Sequence, residues 1–117
     1  MLMHHIVIIL LVPRLLQNLG KIYSGANIEN DGIMSICAER VAFVKALSEG
    51  ERDFKYIVIC GGRSIDNLEN CTPCGICRQF INEFVDENFI IYTIGKNGKI
   101  NSYSINDLLP HGFKLKN

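Results

Sequence analysis

The chain has 117 residues, 48% of them hydrophobic, and its 12 basic and 12 acidic side chains give a formal net charge of zero. That size fits one domain around one core, and the apolar fraction excludes wholesale disorder. A neutral chain with no Trp and 9% aromatic residues lacks the basic excess and the stacking platform that nucleic-acid binding needs, so no nucleic acid is expected as partner.

The N-terminal stretch is unusual. Ile6 to Val12 is an unbroken apolar run, preceded by His4 and His5 and followed by Pro13 and Arg14. It is too short to span a bilayer. It also lacks the basic flank and small-residue cleavage site of a signal peptide, so it reads as a buried strand and no membrane is expected as partner. Gly20 then opens a weakly alternating segment, Lys21 to Ile28, read as a second strand. Ile33 to Glu49 carries apolar residues at helical spacing and ends at Gly50, a helix stop. Tyr56 to Cys60 is a short buried strand closed by Gly61 and Gly62, and 63–72 reads as polar loop. A second helix follows from Cys74 to Val85, with Pro73 just before it and Ile76, Phe80, Ile81 and Phe84 expected on one face. Phe89 to Ile94 is a strand, Lys96 to Lys99 a turn, Ile100 to Ile105 an edge strand, and Ser104 to Leu109 a last helical turn before Pro110. Strands alternating with helices predict an α/β sandwich around a mixed sheet.

The chemistry concentrates in the cysteines. There are five, Cys37, Cys60, Cys71, Cys74 and Cys77, and the last three form Cys-x-x-Cys-x-x-Cys. The spacing fits metal ligation in a reducing compartment better than a disulfide framework, which points to the cytoplasm. Cys37 and the Cys74/Cys77 pair each stand at the start of a predicted helix, where the helix dipole favours thiolates. Three thiolates can hold Zn²⁺ and leave a fourth position open for water, and Glu39, two residues after Cys37, can reach that water without ligating the metal. Two blander readings stand beside this one: a closed site of four cysteines including Cys71 that only braces the fold, or a redox Cys-x-x-Cys pair.

The stretches "NIENDGIMSICAER" and "PCGICRQF" resemble the cytidine deaminase family in the form whose zinc has three cysteine ligands. The matching elements are Asn27 to Asn30, Cys37 to Arg40, Pro73 to Gln79 and Leu108 to Phe113, in the family's order. The resemblance implies a three-layer α-β-α sandwich and one Zn²⁺ per chain, bound by Cys37, Cys74 and Cys77. Glu39 would shuttle protons between the bound water, ring N3 and the leaving amine. Asn27 and Glu29 would hold the ribose hydroxyl. Phe113 would reach a neighbouring subunit's base pocket in a homotetramer. Arg40 and Gln79 would donate hydrogen bonds to ligand thiolates and temper their charge. The implied reaction is hydrolytic deamination of cytidine and deoxycytidine in pyrimidine salvage. An impaired zinc-binding domain, and a deaminase for another aminopyrimidine nucleoside, are the alternatives. Cys60, Cys71, His4, His5 and His111 match no family element.

Two departures set this sequence apart from that family. The loop from Glu29 to Cys37 is one residue short and carries Asp31, Gly32 and Ile33 where the family has small residues and an aromatic. Residues 1–19 also lack the family's first helix and its Tyr-x-Pro-Tyr-Ser strand. A second reading frame of a gene encoding "MLMHHIVIILLVPRLL" can, with permitted codons, spell a Pro-Tyr-Ser to Gly-Ala-Ala segment at the family's spacing. Residues 1–19 are therefore read as an atypical, frame-shifted segment, and 20–117 as the deaminase domain, with the N-terminal helix and first strand missing or altered.

Overall fold

The computed structural model describes residues 5–12, 21–26, 37–62 and 68–114. Its strands are β1 (His5–Val12), β2 (Lys21–Ala26), β3 (Tyr56–Gly62), β4 (Leu68–Glu69), β5 (Ile90–Ile94) and β6 (Ile100–Ser104), and its helices are α1 (Ala38–Ser48), α2 (Gly75–Phe84) and α3 (Ile105–Leu108). The sheet order is β2-β1-β3-β5-β6, with β4 added to β3 at Gly61 and Gly62. Only β3 and β5 run parallel, and the remaining pairs are antiparallel, so the sheet is mixed as expected. A parallel pair needs a long crossover, and α2 lies within it.

The apolar run near the N-terminus is indeed a strand. β1 pairs with β2 on one side, from Val7 opposite Ala26 to Val12 opposite Lys21, and with β3 on the other, from His5 opposite Gly62 to Leu11 opposite Tyr56. The first strand of the sheet is thus present. β6 takes the predicted edge position. Among the described residues, the strand missed is β4, which sits inside the expected polar loop.

α1 buries Ala38, Glu39, Ala42, Phe43 and Ala46, one face at helical spacing. It stops at Gly50, whose φ of 91° is left-handed, while the N–H groups of Glu49, Gly50 and Glu51 close onto Ala46 and Leu47 carbonyls. Alternate residues of β3 and β5, namely Ile57, Ile59 and Ile91, face this helix layer fully buried. Each such side chain contributes about 1.5–3 kcal/mol. Phe43 is the centre of the core, its ring 5.0 Å from Phe54, 6.0 Å from Phe89 and 6.3 Å from Phe80 of α2. Ile105 of α3 joins the same core, and α3 opens with a capping box between Ser104 and Asp107. Residues of α1, α2 and α3 therefore share one core. α2 differs from expectation in one respect: Phe80, Ile81 and Phe84 pack inward, but Ile76 is 65% exposed.

Candidate metal centre and its neighbourhood

Cys37 and Cys74 are the residues immediately before α1 and α2. Both have extended backbones, and neither side chain caps its helix. Their carbonyls instead accept the first helical bonds, from Val41 and Arg78, and the thiols turn away from the helix ends. Cys77, one turn into α2, is fully buried. The sulfurs of Cys37 and Cys74 lie 3.6 Å apart and those of Cys74 and Cys77 3.5 Å apart, and all three fall within 4.8 Å of one another. None of the five cysteines is in a disulfide. Among the described residues, Cys71 is not part of this cluster, which removes the closed four-cysteine reading.

The donor set fits Zn²⁺. Tetrahedral Zn²⁺ with Zn–S bonds of about 2.3 Å sets its sulfurs about 3.8 Å apart, close to the spacing found. Glu39 is buried beside the cluster, and its Oε1 has no hydrogen-bond partner. A carboxylate oxygen left unsatisfied in the interior is costly, and a water held at the open position is what would satisfy it. Burial pushes the Glu39 carboxyl above its ordinary range, against the opposing pull of a backbone hydrogen bond and the Arg40 charge.

Burial also raises the Cys37 and Cys77 thiols, reinforced at Cys77 by the Glu39 charge. Cys74 behaves differently. Burial raises it too, but the backbone N–H of Cys77 and the neighbouring thiols outweigh that, and the net direction is down. The expected helix-terminus effect thus shows at Cys74 alone. A dication supplies the counter-charge that three thiolates at this spacing need.

The Cytidine and deoxycytidylate deaminase zinc-binding region family matches residues 14–93. The chain belongs to the cytidine deaminase family. A cytidine deaminase of Sporosarcina psychrophila is 41% identical over 100 residues, covering 85% of this chain and 71% of that protein. A blasticidin-S deaminase of Bacillus cereus is 33% identical over 96 residues, covering 78% of this chain and 67% of that protein. A probable cytidine deaminase of Dictyostelium discoideum reaches 48% identity over 73 residues, 62% of this chain, and the chain spans about half of that relative, 48%. Among solved structures, the cytidine deaminase of Burkholderia pseudomallei superposes with a TM-score of 0.74 at 32% identity, covering 93% of this chain and 82% of that one.

Against the cytidine deaminase pattern, the expected residues fall as follows. Cys37, Cys74, Cys77 and Glu39 converge. Arg40 Nη2 donates to Cys37 Sγ at 3.9 Å, the contact expected of it. Gln79 does not take its expected place: its Nε2 donates to the Phe113 carbonyl at 3.0 Å, not to a thiolate. The physical reason is the C-terminal segment folded against α2, where Asn82 Nδ2, one turn further on, donates to the same carbonyl at 2.9 Å. The Phe113 ring itself is 61% exposed. Asn27 and Glu29 lie outside the described residues.

Sequence reasoning missed Arg78. Its Nε donates to Pro73 O at 2.7 Å, Nη1 to Leu108 O at 2.9 Å and Nη2 to Thr72 Oγ1 at 3.0 Å. One guanidinium thereby fixes the turn that presents Cys74 and ties it to α3. The signal was its place beside Cys77, which by sequence alone reads as a solvated helix charge.

Proposed function

We propose that this chain catalyses the zinc-dependent hydrolytic deamination of cytidine and deoxycytidine to uridine and deoxyuridine, a pyrimidine salvage step. The observation that carries the reading is the convergence of three thiols with one buried carboxylate whose Oε1 is unpartnered. Cys37, Cys74 and Cys77 would hold one Zn²⁺, which when bound acidifies a water molecule toward neutral pH.

Glu39 does the proton work. Its raised pKa lets it take the proton of the attacking water and pass it to ring N3 as oxygen bonds to C4. A second transfer delivers the remaining proton to the exocyclic amine, the C4–N bond breaks, and ammonia leaves. Arg40 draws charge from Cys37 and so keeps the site electrophilic. Asn27 and Glu29 would hold the ribose, and Phe113, with its exposed ring and tethered carbonyl, would reach the base pocket of a neighbouring copy in a homotetramer. Gln79 serves that arrangement by holding the Phe113 backbone. The zero net charge argues for a free nucleoside over a polynucleotide, and cysteines that form no disulfide suit the cytoplasm. Among the described residues no helix is long and apolar enough to cross a membrane.

The test is ammonia release by the zinc-loaded protein from cytidine, deoxycytidine and blasticidin S. Cytidine and deoxycytidine are expected to react, and Glu39→Gln is expected to keep its zinc and lose turnover by about 10²–10⁴-fold. Release from blasticidin S alone would favour the antibiotic deaminase. No release from any substrate by protein with one zinc per chain would overturn the proposal in favour of an impaired zinc-binding domain.

A further inference from the structure

We propose that Gly25 of β2 is a positioning residue for the metal centre: carrying no Cβ, it lets α1 settle close enough to the sheet for Cys37 and Glu39 to meet Cys74 and Cys77. The inference rests on the zinc reading above. A Cβ placed on Gly25 would stand 2.7 Å from the Ala38 carbonyl oxygen, 2.9 Å from the Ala42 amide nitrogen and 3.2 Å from Val41 Cβ. The two closest atoms are backbone, so no rotamer change relieves the contact. Helix and strand have to separate there, by about 0.7 Å, before ordinary van der Waals contact is restored.

The place of that contact gives it its consequence. Ala38 stands between Cys37 and Glu39, and its carbonyl belongs to the peptide leading into Glu39. A shift there therefore moves a ligand and the base together. Cys74 and Cys77 ride on α2 and would not follow. A displacement of about 0.7 Å is large beside sulfur spacings of 3.5 and 3.6 Å, and metal–ligand distances tolerate only about 0.2 Å.

The rest of the seam leaves α1 little freedom to slide. Lys45 Nζ donates to the Ser24 carbonyl at 2.8 Å, and the Tyr23 hydroxyl donates to Glu49 Oε1 at 3.0 Å and lies 3.3 Å from Glu51 Oε2. Helix and strand thus run antiparallel, fastened from the middle of α1 to its C-terminal end. A side chain at Gly25 would tilt the N-terminal end away from the sheet. Ala38 and Ala42 are already fully buried, so the helix has no larger side chain to trim in compensation.

The experiment is a Co²⁺ titration of the metal-stripped protein, read by the thiolate-to-cobalt charge-transfer and d–d bands. Gly25→Ala is expected to bind Co²⁺ at least tenfold more weakly than wild type, with shifted d–d bands. Ile91→Ala, a core substitution in β5 away from the seam, is expected to lower the thermal midpoint yet keep the wild-type spectrum and affinity. Wild-type affinity and spectrum in Gly25→Ala would overturn the proposal, as would an equal loss in Ile91→Ala. A Gly25→Ala chain that folds neither with nor without Co²⁺ would assign Gly25 to the fold alone and overturn it as well. If the wild-type protein itself gave no thiolate–cobalt bands, the zinc reading would fail, and this proposal with it.

Discussion

Replacing Phe43 by Leu tests whether the aromatic core is the joint between the two helices that carry the cysteines. Phe43 belongs to α1 and is fully buried. Its ring meets Phe54 at 5.0 Å, Phe89 at 6.0 Å and, across to α2, Phe80 at 6.3 Å. Leu keeps the apolar character but abolishes all three ring pairs. Each pair is worth about 0.5–1.5 kcal/mol beyond burial, and neighbouring pairs do not add fully, so the expected loss is about 2 kcal/mol. For a domain of this size that lowers the thermal midpoint by about 8 °C. Phe84→Leu is the comparison: Phe84 is only part-buried and has one ring partner, Phe80 at 5.1 Å, so about 0.5–1 kcal/mol is expected. Urea unfolding of the metal-stripped protein, followed by far-UV circular dichroism, measures both. If Phe43→Leu costs no more than Phe84→Leu, the joint lies elsewhere and the core assignment is wrong.

Arg40→Met should weaken Co²⁺ binding about tenfold and shift the charge-transfer bands, because Nη2 touches Cys37 Sγ. Gln79→Ala should leave both unchanged, since its amide is held by the Phe113 carbonyl; equal shifts in the two variants would put that amide on a thiolate after all. Asn70→Ala should cost about 2 kcal/mol in urea unfolding. It removes the acceptor for the fully buried Thr93 hydroxyl and for Asn101 Nδ2, together with the donor to the Tyr103 hydroxyl, and a loss below about 0.5 kcal/mol would contradict that account.

Much of this architecture was legible because sequence periodicity and breakers agreed. Gly50 stops α1, Pro73 precedes α2, and Ser104 caps α3, each through local backbone chemistry that does not depend on the rest of the fold. The convergence of Cys37 with Cys74 and Cys77 was legible only through family resemblance, since spacing alone left Cys71 an equal candidate. Three features stayed hidden for physical reasons. β4 is two residues long, too short to show any period. Ile76 fits the apolar face of α2 but remains exposed, because apolar character does not separate core from surface. The amide of Gln79 can reach either a sulfur or a carbonyl, and the folding back of a segment 34 residues away decides between them.

Cys37 and Cys74, at the heads of two different helices, are 37 residues apart in the chain. An ion shared between them closes that span as a cross-link does. By the loop-entropy relation for cross-links it withdraws about 4 kcal/mol of freedom from the unfolded chain. The same atom would then serve as reagent and as rivet. On the proposed zinc reading, a cell that ran short of zinc would lose this protein twice over, first as a catalyst and then, as the loosened chain met proteases, as a molecule.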